Sequence, residues 1–195
     1  MSYSQLTTDV ASWLHRADIT PANFSRFTAM AEARMARLLR VRQMEAPLVS
    51  TEIDADYEIA LPADFVATKV LYSVGYERTP LTAQTLDYIT SRGVVYGIPK
   101  NFAVTADAWR FDGTGSVAGT YYQALPSLET DGTTWLETLA PDLYLFSVLA
   151  EACMFVQDSE RAALYSGRAR ELLQEVNAND QRDRFSGLLV SSKRL

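Results

Sequence analysis

Between Asp142 and Gln157 the chain offers no polar face. Leu143, Tyr144, Leu145, Phe146, Val148, Leu149, Ala150, Cys153, Met154 and Phe155 run almost all the way round a helical wheel. A helix of that kind is stable only where other elements cover it on most sides. It is too short, and too interrupted by Ser147 and Glu151, for the roughly 20 apolar residues of a membrane span. It therefore predicts a central helix, with Pro141 at its first position, and the rest of the chain must supply its neighbours.

Helical periodicity supplies them at both ends. Leu6, Val10, Trp13 and Leu14 make one stripe of a helix over 4–16. Thr20 is a good N-cap and Pro21 fits the first turn, so a second helix runs over 21–40. Its apolar face is Phe24, Phe27, Ala31, Met35 and Leu38, with Arg26, Arg34, Arg37 and Arg40 on the other side. Asp158-Ser159 caps a last helix over 160–177, with Leu164, Ala169, Leu172 and Val176 inward. From Val41 the period drops to two, which predicts strands at 48–53, 57–61, 65–76, 102–105, 108–111 and 117–125. Tyr121 and Tyr122 put an aromatic on each face of the last strand. A short helix over 81–91 is capped by Thr82 and ended by Gly93, and Asp112–Ser116 reads as a hairpin turn between the last two strands. The expected architecture is α+β. An antiparallel helical bundle of two N-terminal and two C-terminal helices (1–42 and 133–178) carries an inserted antiparallel β-rich subdomain (43–132) and an extended C-terminal tail (179–195). There is no internal repeat.

Composition narrows the chemistry. With 195 residues, 48% hydrophobic and 22% charged, the chain has enough apolar material for one core or a core with an insertion. One cysteine and one histidine exclude an internal disulfide framework, a Cys-based zinc site and a multi-His site. The polar opening Met1–Thr8 predicts no secretory leader, so the sequon Asn23-Phe24-Ser25 is expected to stay unmodified. His15 ends a helix without an orienting partner and reads as a surface or capping residue. Cys153 sits in the most apolar stretch, where a thiol is unreactive. Asp54, Asp56 and Glu58 alternate like calcium ligands, but the glycine and distal glutamate of such a loop are missing. Gly113, Gly115 and Gly119 have the wrong spacing for a phosphate loop, and a strand follows them. No P-loop, nucleophile elbow or HExxH occurs. Neither an enzyme nor a cofactor or metal is expected.

Charge is sorted along the chain. The net charge is -6, from 18 basic and 24 acidic residues, which disfavours an ordinary nucleic-acid binder. Residues 16–42 carry six Arg against two acids, 43–160 carry five basic residues against 17 acids, and 161–195 carry seven against four. Of the cations, 15 are Arg and 3 are Lys. Two readings stand. The charges are solvated faces, or copies of the chain meet with opposite signs facing, which makes Arg26, Arg34, Arg37, Arg40 and Arg42 a subunit interface. Glu151 lies among Leu149, Ala150, Ala152 and Cys153, and a buried carboxylate needs a partner. Arg34, beside the apolar face of its helix, offers one inside the bundle; the alternative is a Glu151 that faces a neighbouring subunit.

Several segments taken in order resemble one family. They are Gln5–Arg16, Ala31–Arg42, Leu61-Pro62-Ala63-Asp64-Phe65, the strand ending Tyr121-Tyr122 with Leu125-Pro126-Ser127-Leu128, and the Trp135 segment. Ala140–Phe146, Asp158–Ala162 and Asn179–Gly187 follow. The order resembles the head-to-tail adaptors of tailed bacteriophages, the tail tubular protein A-like connectors, over about residues 3–187. The resemblance implies a helical bundle with a β-rich insertion and no catalytic residues. It also implies a ring, typically twelve-fold, in the neck of the virion. That ring lies beneath the portal protein, extends the DNA channel and offers a platform to a tail or nozzle protein. The chain would be made in the host bacterial cytoplasm. Genomic DNA would pass without specific binding, which the net negative charge suits. In such a ring the tail residues Arg182, Arg184, Phe185, Leu188, Leu189 and Val190 are expected to dock on the portal, while Glu151 and Cys153 are buried structural residues. Another phage neck or tail-completion protein, or an unrelated soluble α+β binding module, are the alternative readings.

Overall fold

The computed structural model describes residues 1–16, 19–75, 77–93 and 97–185. The chain divides into two units, a helical one (1–43 with 125–195) and a β-rich one (44–124).

In the helical unit, α1 (Tyr3–Leu14) opens on a capping box. The Ser2 hydroxyl accepts from the Gln5 amide at 3.3 Å, and the Ser2 amide donates to the Gln5 side chain at 2.8 Å. α2 (Pro21–Leu38) starts with Thr20 accepting from the Asn23 amide and Pro21 in the first turn. Two short helices, α4 (Leu128–Asp131) and α5 (Trp135–Leu139), lead into α6 (Pro141–Phe155) and then α7 (Ser159–Phe185). α6 packs on α1, α2, α5 and α7, as its lack of a polar face requires. It emerges only at its ends, at Pro141 and Asp142 and at Met154 and Phe155. Leu6, Val10, Phe24, Ala31, Met35, Leu143, Val148 and Leu149 are buried around it. Trp13 is partly exposed, its ring edge-on to Phe146 and Tyr165.

Two sequence expectations change here. α7 runs to Phe185, so residues 179–185 are helical rather than an extended tail. Polar residues do not stop a helix when none of them is Gly or Pro, and Asp180 on that stretch is buried. Residues 186–195 lie outside the described residues. On the same helix Leu164 points outward, 67% exposed, and Leu173 takes the inward place.

The β-rich unit holds two four-stranded sheets. β1 (Glu45–Glu52), β8 (Ser116–Gln123), β3 (Phe65–Val74) and β4 (Thr79–Pro80) form one in that order. β2 (Glu58–Ala60), β7 (Ala108–Phe111), β6 (Asn101–Val104) and β5 (Thr82–Ala83) form the other. Both sheets line one core, with Leu71, Val117 and Tyr121 from the first and Ile59, Phe102, Trp109 and Phe111 from the second. Trp109 is its plug. The indole N–H donates to the Thr68 hydroxyl at 2.7 Å, and the Phe65 ring stands edge-on at 5.2 Å. The central strand β8 carries Gly119 opposite both Leu48 and Leu71, where β1 and β3 each shift register. A Cβ at Gly119 would lie 2.2 Å from the Val70 carbonyl oxygen, so only glycine fits.

Three further expectations are corrected. Pairing is antiparallel except between β5 and β6, which run parallel. The short helix is α3 (Leu86–Arg92), capped by Thr85 accepting from the Tyr88 amide at 3.2 Å, because Thr82 is engaged in β5. Gly93 does follow its last residue. Asp112–Ser116 is not a hairpin turn: β7 and β8 belong to different sheets, and the segment carries the chain from one to the other. The buried Asp112 carboxylate accepts from the Lys100 and Asn101 amides at 2.9 and 3.0 Å and from the Asn101 side chain at 2.6 Å. Gly113 lets the backbone pass Gly97 and Pro99, since a Cβ there would lie 2.6 Å from the Gly97 carbonyl oxygen. Burial pulls the Asp112 pKa up, but the Asn101 and Lys100 hydrogen bonds outweigh it and hold the carboxyl below its ordinary range.

Candidate assembly surface on the helical unit

The arginines of α2 and its exit segment divide by what they touch. Arg34 reaches Glu151 on α6 at 2.8 Å, with Glu151 3% exposed and Arg34 38%. The buried acid thus has the partner read from the sequence, inside its own chain. Arg40 turns back on the carbonyls that end α2, those of Ala36 and Leu39. A cation there meets the negative end of the helix.

Arg42 enters a cluster built by the last turns of α7. The Asn177 side chain accepts from the Arg40 amide at 3.0 Å and donates to the Leu38 carbonyl at 3.1 Å. The buried Asp180 carboxylate accepts from the Arg42 amide at 3.2 Å and from the Arg184 guanidinium at 2.5 Å. Arg42 itself lies 3.5 Å from Asp180 and 2.6 Å from Asp183. α7 therefore clamps the segment that leaves α2, and its polar last turns are structural. A cavity of about 250 Å³ beside the clamp is lined by Arg42, Asp142, Glu175, Asp180 and Asp183, with Leu172 and Val176 below. It holds no nucleophile with a base beside it.

Arg26 and Arg37 remain. Both are exposed and have no hydrogen-bond or ion-pair partner among the described residues. Arg37 lines a second groove, of about 420 Å³, between α2 and α7. Arg34, Leu38, Ala169, Arg170 and Leu173 line it too. Arg170 is exposed and equally without a partner among the described residues, and Leu38 is 53% exposed. This is a basic groove with an apolar lip, and it can hold an anionic partner.

Over residues 1–192, both units included, the chain matches the family model of the SU10 adaptor protein. The chain belongs to the SU10 adaptor protein family, a family of phage head-to-tail adaptors. No curated protein matches it. The family assignment bears out the resemblance read from the order of segments. It makes the adaptor a structural protein of the phage particle.

The remaining candidates fall into place on the adaptor. Cys153 is buried, and burial, with Asp158 nearby, pushes its thiol pKa up. His15 closes α1 in the left-handed conformation, its amide donating to the Ser12 carbonyl at 3.2 Å. Asp54 uses its carboxylate inside its own turn, accepting from the Asp56 and Glu58 amides. No group of three or more His, Cys, Asp or Glu placed to hold a metal ion occurs among the described residues. No helix among them is long and apolar enough to cross a membrane. Of the tail candidates, Arg182 is exposed and Arg184 is held by Asp180. The Phe185 side chain and Leu188, Leu189 and Val190 lie outside the described residues.

Sequence reasoning missed Asn177, Asp180 and Asp183, whose spacing of three puts them along one helix face once α7 is allowed to continue. It also missed Glu32. This carboxylate is buried, accepts from the Leu128 amide at 2.7 Å and the Tyr144 hydroxyl at 3.3 Å, and ties α4 to α2. Burial raises its pKa.

Proposed function

We propose that this adaptor is the subunit of a ring, twelve-fold, that assembles beneath the phage portal, extends the DNA channel and gives the tail or nozzle protein its platform. The match to the SU10 adaptor family over residues 1–192 carries the reading. Two features support it. A ring needs head-to-tail contacts between different surfaces of one chain. The helical unit offers arginines without partners among the described residues, and the β-rich unit carries five basic residues against ten acidic ones. The overall charge of -6 also suits a channel wall that DNA passes without sticking. Residues beyond the clamp, from Phe185 through Leu188, Leu189 and Val190, dock on the portal.

Negative-stain microscopy of the purified chain with and without its cognate portal tests the proposal. Rings on the portal are the expected result, and a chain that stays monomeric beside that portal overturns it. Truncation after Phe185 spares Asp180 and Arg184. It is expected to weaken portal docking while the helices stay folded by circular dichroism; unchanged docking removes the tail from the reading.

A further inference from the structure

The basic groove between α2 and α7 holds a repulsion. Arg37 and Arg170 line it without partners among the described residues, and Arg34 adds a third guanidinium that Glu151 only half covers. Like charges sharing one groove repel one another until an anion enters. The β-rich unit displays the matching feature. In the turn from β1 to β2, Glu52, Asp54 and Asp56 are exposed within five residues that contain no cation. Neither Glu52 nor Asp56 uses its carboxylate on a partner among the described residues.

The turn is also rigid. The Asp54 carboxylate accepts from the Asp56 and Glu58 amides at 3.0 and 2.8 Å, and buried Ile53 donates to the Gly115 carbonyl at 2.9 Å. Tyr57 closes the turn at φ 66°, its amide donating to the Asp54 carbonyl. Such a preorganised anionic tip loses little entropy on docking.

We propose that the α2–α7 groove of one adaptor receives the β1–β2 turn of a second copy. Glu52 and Asp56 of the incoming copy meet Arg37 and Arg170, and arginine suits such carboxylate contacts through its paired donors. The two surfaces differ, so the contact is head-to-tail and repeats from copy to copy until a ring closes. The assignment rests on the ring reading above and names the surfaces that make it.

Charge swaps test it. The Arg37→Glu/Arg170→Glu variant and the Glu52→Arg/Asp56→Arg variant, each alone on portal, should yield about tenfold fewer rings or worse, since each sets like charges face to face. An equimolar mixture of the two should ring again, because alternating copies restore opposite charges at every contact. A chain with all four substitutions should do the same. Arg37→Gln/Arg170→Gln, which adds no new charge, should lower the yield less and weaken its dependence on salt. Circular dichroism confirms that each variant is folded. If wild type rings and the single-sided variants ring equally well, the surface assignment falls and the ring reading stands. If both variants fail and neither the mixture nor the fourfold chain recovers, the assignment falls too. If wild type forms no ring on portal, both readings fall together.

Discussion

In the β-rich unit the buried carboxylate, Asp112, meets uncharged donors: two backbone amides and one side-chain amide from a segment eleven or twelve residues away. In the helical unit Glu151 and Asp180 meet guanidiniums instead, from Arg34, Arg42 and Arg184. The reason is where each kind of element spends its amides. A loop between strands has amides to spare, and the strands beside it fix their direction, so they can surround an anion without a counter-ion. A helix interior has committed its amides to its own carbonyls. A buried acid on a helix must find a cation or one of the free amides at another helix's start. Glu32 takes the second route, at the first residue of α4. Arg184 lies one helical turn from Asp180, but Arg42 comes from 138 residues away, and Arg34 reaches Glu151 from the N-terminal helices, so in this unit charge ties the two ends of the sequence together.

The largest expected effects test whether each unit depends on its own device. Trp109→Ala empties the plug of the β-rich core and should cost about 4 kcal/mol. Hydrogen exchange should show the loss in β3, β7 and β8. Arg34→Met leaves Glu151 buried without its cation and should cost about 3 kcal/mol by urea unfolding. The double variant Arg34→Met/Glu151→Leu should recover most of that loss, because an apolar pair replaces the ion pair. A double variant as unstable as the single one would show that the guanidinium acts through packing rather than charge. Both variants also remove one guanidinium from the α2–α7 groove, so ring yield on portal should fall somewhat below what stability alone gives.

The same contrast explains which parts of the molecule were legible in the sequence. α6 was, because ten apolar residues round one helix admit only a central place. The Glu151 and Arg34 contact was, because an acid among apolar neighbours demands a cation and Arg34 sits at the edge of the facing stripe. The passage of Asp112–Ser116 between sheets was not. Glycines at 113 and 115 announce a turn, but whether the strands on either side pair depends on β6 and β3, which local signals do not encode. Thr82 and Thr85 are equally good caps three residues apart, and the parallel pairing of β5 with β6 chooses between them. Asp180 looked like solvent-exposed tail because its partner stands 138 residues earlier. On the candidate assembly surface the arginine stripe was visible, but not which members fold inward. Arg34, Arg40 and Arg42 are engaged within the chain, Arg37 has no partner among the described residues, and Arg170 joins it from a helix whose basic excess was counted but not placed.

The smaller predictions set the two ways of burying an acid against each other by pH. Asp112→Asn turns one acceptor oxygen into a donor that faces the Asn101 amide, and should cost about 2 kcal/mol at neutral pH. The folded pKa of Asp112 is depressed. Its contribution is therefore full above the unfolded value of about 3.9 and disappears as pH falls through the folded one. The gap between variant and wild type should narrow on acidification. Glu32→Gln should do the reverse. Its raised pKa means that the charged form is less at home in the fold than in the open chain. The favourable contribution of Glu32 is full below its unfolded pKa and is lost as pH rises through the folded one. Glutamine can still accept from the Leu128 amide and the Tyr144 hydroxyl through its carbonyl oxygen, without a charge to desolvate. This is the smallest effect of the set, and its sign is what matters. The variant should gain on wild type as pH climbs from acid to neutral, measured as the difference in urea midpoint across that range. A difference that stays flat with pH would mean that Glu32 is as well served as Asp112, and that the start of α4 receives a carboxylate as completely as a loop between strands.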